Sequence, residues 1–141
     1  MATTKSMGQI RGEAALEVFR RVMAREKNKS VMEIFAIAAK EPAPQFFVNF
    51  PQAYRTVSAM ARHGYRPQNE HKAAMYDELY RRWKLRGVEH FAELEEIINE
   101  PAPCFYMSDE AFKALVYKMI KDGKRKDKRE GRGARRDGER A

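Results

Sequence analysis

The chain has 141 residues, with 28 lysines and arginines against 20 aspartates and glutamates, three histidines and one cysteine. This length favours a single domain and argues against a multidomain enzyme with a cleft between large lobes. Hydrophobic residues make up 43% of the chain, which is enough to bury a core and excludes disorder throughout.

The first half of the chain has the pattern of three helices and one short strand. A first helix is predicted by hydrophobic residues at helical spacing, namely Leu16, Phe19, Val22 and Met23. Ser30 and Glu33 have the spacing of a capping box that begins a second helix, and Pro42 ends it. Residues 45–48 are aromatic and β-prone, which predicts a strand. A third helix has suitable capping residues at its two ends, Asn49 and Gly64.

The second half repeats this order of signals, so the chain contains a duplicated unit. The matching segments are 19–22 with 80–83, 41–48 with 100–107, and 53–57 with 111–115. The first match requires a two-residue difference in length and the last a one-residue gap. The predicted helix caps of the second copy are Asn69, Gly87, Ser108 and Gly123. We therefore predict two units, at about 14–64 and about 75–123.

The two predicted strands, 45–48 and 104–107, determine the fold class that we expect. A lone strand leaves its backbone N–H and C=O groups unsatisfied, and duplicated units solve this by pairing their strands about a pseudo-two-fold axis. We predict an α+β, mainly helical domain over residues 1–123. Its two pseudo-symmetric helix-helix-strand-helix units share a short two-stranded antiparallel ribbon, and a disordered basic tail follows at 124–141.

The tail is the most basic part of the chain. All Phe, Tyr and Trp residues precede residue 121, whereas ten lysines and arginines and only five acids follow from there. Flexible basic segments bind phosphate backbones by releasing counterions. The candidate nucleic-acid-binding residues of the tail are Lys124, Arg125, Lys126, Lys128, Arg129, Arg132, Arg135 and Arg136. The alternative is a solubilising tail or an arm that binds a partner protein.

Two repeated arginine pairs are further candidates for nucleic-acid binding. Arg20 and Arg21 in the first unit match Arg81 and Arg82 in the second, which would give two equivalent basic patches for two phosphate strands. The alternative is the solvent flank of a helix, where arginine stems cover the core. The aromatic residues of the repeated segments are open to two interpretations in the same way, as platforms for exposed bases or as the repeated core.

Motifs for catalysis, metal binding and membrane insertion are missing from the sequence. There is no CxxC or zinc spacing, no phosphate-binding glycine loop and no common hydrolytic motif, so we expect no enzymatic activity, no metal and no cofactor. The apolar runs are too short for a membrane span or a secretory signal, which predicts a cytoplasmic protein without membrane contact. Cys104 lies in an apolar run and is expected to be a buried, inert thiol.

The repeated Pro-Ala-Pro-x-Phe-(Phe/Tyr) segment, followed by a capped helix with Ala-Tyr or Ala-Phe, carries a resemblance. It resembles short uncharacterised proteins of bacterial phages and mobile elements over about one unit. No activity is carried over from them. The resemblance implies a nucleic-acid accessory role by context alone.

The sequence thus predicts a non-enzymatic nucleic-acid-binding accessory protein that contacts phosphates through its tail and its arginine pairs. The alternative is a protein-protein interaction module or a small assembly subunit of a phage or mobile element. DNA or RNA as ligand, the identity of a protein partner and the oligomeric state stay open. A basic concavity on the folded body would favour nucleic acid, and a contiguous apolar patch around the ribbon would favour a protein.

Overall fold

The computed structural model of the protein describes the backbone of residues 5–87 and 91–140, and the side chains of residues 5–87 and 92–124. Over these residues the fold is all-helical. The helices are α1 (Met7–Arg25), α2 (Val31–Ala39), α3 (Phe50–His63), α4 (Glu70–Arg86), α5 (Phe91–Ile98) and α6 (Asp109–Arg140). The predicted α+β class is therefore wrong, since the described residues contain no strand.

The helix caps predicted from the sequence are confirmed, apart from the last. Four side-chain oxygens accept hydrogen bonds from the backbone N–H three residues on: Ser30, Asn49, Asn69 and Ser108, at 2.9–3.2 Å. Each of these bonds satisfies a donor that the first turn of a helix leaves free. Gly64 ends α3 in the left-handed region with φ 66°, where a side chain would add strain, and Gly87 follows the last residue of α4.

A single backbone bridge replaces the predicted ribbon. Ala43 and Ala102, at the centre of the two Pro-Ala-Pro segments, exchange antiparallel hydrogen bonds of 2.9 Å. Each alanine is flanked by prolines, whose φ is locked near −65° rather than the roughly −140° of an antiparallel strand. Beyond the bridge the N–H of Phe46 is donated to the carbonyl of Ile98, and that of Phe105 to the carbonyl of Ala39. The segments predicted as strands thus cap the ends of α5 and α2.

The two units exchange their third helices across this bridge. Within the described residues, α3 packs against α4 and α5, whereas α6 packs against α1 and α2. Each three-helix cluster therefore contains two helices of one unit and the last helix of the other. The backbone bridge and the two hydrogen bonds to helix ends lie where each unit passes from its second helix to its third. The duplicated Pro-Ala-Pro segments therefore position the exchange of the third helices.

The core repeats the pseudo-two-fold relation in its side chains. Phe46 stacks on Tyr106 and Phe47 stacks on Phe105, each with ring centroids 6.1 Å apart. The buried residues of the two third helices also correspond without a gap. Ala53 and Val57 are buried in α3, and Phe112 and Val116 are buried at the equivalent positions of α6. The one-residue gap in the predicted match is therefore wrong. Cys104, predicted to be buried, is half-buried.

The predicted end of the last helix at Gly123 is also a correction. α6 does not end at Gly123 but continues as helix to Arg140, so residues 124–140 are part of α6. Lys, Arg, Glu and Ala, which dominate this stretch, are good helix formers, and they outweigh the glycines that favour a break. Residue 141 lies outside the described part of the chain.

Candidate nucleic-acid interface

The long contact between α1 and α6 brings basic residues from the two ends of the folded body together. Gly12 makes this contact close, since a Cβ at that position would collide with the side chain of Met119. We call the surface along this contact the α1–α6 seam, and it is lined by two grooves.

The first groove of the seam contains two of the basic residues singled out in the sequence. Arg20 of α1 and Lys124 of α6 line a groove of about 460 Å³. Glu13 lies in the same groove, but Lys5 neutralises its carboxylate through an ion pair of 2.9 Å. Asp122 also lines the groove, which therefore brings Arg20 and the start of the basic segment together beside two acids, one of them paired with Lys5.

The second groove adds two basic residues that sequence reasoning missed. Arg11 and Lys118 line a groove of about 370 Å³ on the same seam. Nε of Arg11 is buried without a hydrogen-bond partner among the described residues. A buried donor of this kind is costly unless an acceptor reaches it. Neither residue stands in a basic run, so the signal appears only once α1 and α6 are known to pack together.

The first arginine pair is available to a ligand. Arg20 and Arg21 are exposed, and neither forms an ion pair or a hydrogen bond to another described residue. Lys124 is likewise exposed. The remaining tail candidates belong to the helical backbone of α6, and their side chains lie outside the described part of the chain. These are Arg125, Lys126, Lys128, Arg129, Arg132, Arg135 and Arg136.

The second arginine pair is engaged within the protein. Arg81 and Arg82 both donate to the carboxylate of Glu78, at 2.7–2.8 Å. Arg82 also donates to Glu100 and to the carbonyl of Pro101, each at 3.2 Å. Its guanidinium carbon lies 4.9 Å from the centre of the Phe46 ring, a cation–π distance. Arg82 therefore joins α4 to the bridge region instead of facing a ligand.

One ion pair occurs at equivalent positions in both units. Arg25 binds Glu41 at 2.7 Å, and the equivalent Arg86 binds Glu100. In each unit the bond ties the end of the first helix to the residue before Pro-Ala-Pro. These glutamates thus position the crossing segments, and their arginines are less available to a ligand than Arg20 and Arg21.

The Arg81 and Arg82 guanidinium groups lower the pKa of Glu78 to about 2, chiefly through the hydrogen bond from Arg81. A carboxyl whose pKa is lowered in the folded state stabilises the protein above its ordinary pKa of 4.5, and this stability is lost as the pH falls towards 2. We expect the contribution to be about 1–2 kcal/mol, since the arginines are partly in contact with solvent.

The measurement compares urea unfolding of the wild type with that of Glu78→Gln at about pH 5 and about pH 2.5. At the higher pH the wild type is expected to have a larger free energy of unfolding than Glu78→Gln. This difference between the two proteins should shrink at the lower pH. An equal difference at both values would contradict the role given to Glu78.

The repeated aromatic residues form the core, which favours the second of their two interpretations. Phe46, Phe105 and Phe112 are buried. Tyr106 is half-buried with φ 53°, and burial raises the pKa of its hydroxyl to about 12. None of the large exposed hydrophobic residues belongs to the two segments that form the described bridge region.

Within residues 5–87 and 91–140, no helix is long and apolar enough to cross a membrane. In the same part of the chain, no group of three or more His, Cys, Asp or Glu side chains is placed to hold a metal ion. No family model, curated protein or solved structure matches the chain.

Proposed function

We propose that the protein is a cytoplasmic, non-enzymatic accessory protein that binds nucleic acid through the α1–α6 seam and the basic continuation of α6. The observation that carries the proposal is the meeting of Arg20 and Lys124 in one groove. A groove of this kind places positive charge from two helices on one phosphate backbone.

The charge of the seam supports this proposal. Its described basic side chains are Arg11, Arg20, Lys118 and Lys124, and Arg21 follows Arg20 in α1. The acids that line the grooves are Glu13 and Asp122, and Glu13 is bound by Lys5. Positive charge therefore exceeds negative charge along the seam, as a phosphate-binding surface requires.

The C-terminal part of α6 extends this surface. At about 1.5 Å per residue, residues 125–140 lengthen the helix by about 24 Å. The stretch contains no apolar residue larger than alanine, so it has no stripe with which to pack on a core. A basic helix without an apolar face is suited to a polyanion, whose phosphates neutralise its repelling charges.

Fluorescence anisotropy with a labelled duplex of random sequence tests the proposal at about 50 and about 200 mM salt. We expect Arg20→Gln/Arg21→Gln to weaken binding about fivefold to tenfold and to reduce the slope of log affinity against log salt by about 2. Removal of residues 124–141 should abolish most of the binding, because it deletes the basic continuation of the seam.

The repeat supplies a matched control in α4. Arg81→Gln/Lys84→Gln removes the same charge from the equivalent helix, at two exposed residues outside the seam. Its affinity should stay within about twofold of the wild type. Equal losses of affinity in the two double variants would mean that binding depends on net charge alone and not on the seam. Unchanged binding after removal of 124–141 would overturn the proposal.

A further inference from the structure

The segment around α3 carries positive charge without an acidic residue. Between Glu41 and Glu70 the sequence contains three arginines and no aspartate or glutamate. One of them, Arg66, is bound by Asp77 of α4 at 2.8 Å. Arg55 and Arg62 are exposed and form no ion pair with any described residue.

The two unpaired arginines lie on the same side of α3. Ala53 and Val57 are buried on the inner side of the helix. Arg55, Ser58 and Arg62 follow each other at helical spacing on the opposite side and line one shallow surface depression. Seven residues separate the arginines, which places them about 10 Å apart along the helix axis.

One tyrosine lies on this basic side of the helix, beside the arginines. Tyr54 is 36% exposed and lines the same depression as Arg55 and Arg62. Its ring is held in place by stacking on Phe50 and by an edge contact with Trp83, at 6.0 and 6.1 Å. Aromatic residues beside arginines bind unpaired bases and their phosphates together.

The fold itself does not require this surface. In α6, which has the equivalent place in the other cluster, the matching outer positions are Ala114, Tyr117 and Lys121. Ala114 is exposed at the place of Arg55, so a small neutral residue is compatible with the same packing. The arginines of α3 are thus not explained by core packing or by the exchange of helices.

We infer that the outer face of α3, formed by Tyr54, Arg55, Ser58 and Arg62, binds single-stranded nucleic acid. The inference rests on the proposed function and specifies its ligand. The arginines contact phosphates while Tyr54 stacks on a base, and only unpaired bases expose the faces that stacking needs. The α1–α6 seam, which lacks exposed aromatic residues among its groove-lining side chains, contacts the phosphate backbone alone.

The test measures anisotropy of a labelled oligothymidylate and of a duplex of equal length with the full-length protein. Arg55→Gln/Arg62→Gln is expected to weaken single-strand binding at least fivefold, about the loss of two phosphate contacts, and to leave duplex binding within about twofold. Tyr54→Ala should weaken single-strand binding at least about fivefold, and Tyr54→Phe should retain it because the stacking face is preserved.

Arg66→Gln is the control within the same segment, because it removes one arginine that Asp77 already neutralises. It should bind the single strand as the wild type does, and circular dichroism must show all variants folded. Unchanged single-strand binding in Arg55→Gln/Arg62→Gln, or an equal loss in Arg66→Gln, overturns the inference. Wild-type binding to the duplex alone overturns it while the proposed function stands, and binding to neither probe overturns both.

Discussion

Replacement of Arg82 by alanine is expected to lower the free energy of unfolding by about 2–3 kcal/mol, whereas the same change at Arg21 should cost less than about 0.5 kcal/mol. Arg82 is only 20% exposed, and it donates hydrogen bonds to two carboxylates and one carbonyl. Its removal leaves the carbonyl of Pro101 without this donor and uncovers the ring of Phe46. Arg21 is exposed and has no such partners among the described residues.

The two variants form a matched pair, because both residues occupy the same position in the first helix of their units. Chemical denaturation followed by circular dichroism measures the difference. Arg82→Lys separates charge from geometry, since lysine keeps the charge but lacks the planar fork that reaches several acceptors and stacks on a ring. It is expected to recover less than half of the loss. Equal costs at Arg21 and Arg82 would contradict the structural role of Arg82.

This asymmetry explains why the arginine pairs could not be assigned from the sequence. The first unit contains the same local triplet, with Glu17, Arg20 and Arg21 in place of Glu78, Arg81 and Arg82. What distinguishes Arg82 is its contact with Phe46, a residue of the other unit. Contacts of this kind depend on the exchange of helices, and no local pattern encodes them.

The features that the sequence predicted correctly are local ones. The hydroxyl of Ser30 and the amide of Asn49 act on N–H groups three residues away, so spacing alone is sufficient to identify the caps. The equivalence of the two units was visible for the same reason. The aromatic residues of 45–48 predicted a strand. Instead, the N–H of Phe46 is donated to the carbonyl of Ile98 at the end of α5, which is distant in the chain.

The candidate interface was predictable only in part. Net charge pointed to the C-terminal segment and to Arg20, and the structure brings Arg20 and Lys124 together. Arg11 became a candidate through the packing of α6 on α1, which the repeat comparison could not reveal, because equivalence does not state which copy a helix packs against. The basic face of α3 was visible as an acid-free stretch, but its exposure followed only from the burial of Val57 on the other side.

Cleavage of the chain between α3 and α4 is expected to leave the two halves associated. A protease site inserted between Pro67 and Gln68 lies outside both helices. After cleavage each half retains two helices of one cluster and contributes its third to the other. Separation would expose the buried face of α6, which contains Phe112 and Val116 and where Phe112 contacts Phe35. Burial of such side chains contributes about 1.5–3 kcal/mol each, which holds the halves together.

The measurement is the mass of the cleaved protein in solution, which should stay near the 16.4 kDa of the intact chain. Cleavage also turns an intramolecular contact into a bimolecular one, so the melting temperature should fall on dilution in the cleaved protein and not in the uncut control. Halves that elute separately at about half the mass would show two self-contained units. They would contradict the exchange, because a unit that keeps its own third helix has no reason to bind its neighbour through α3 and α6.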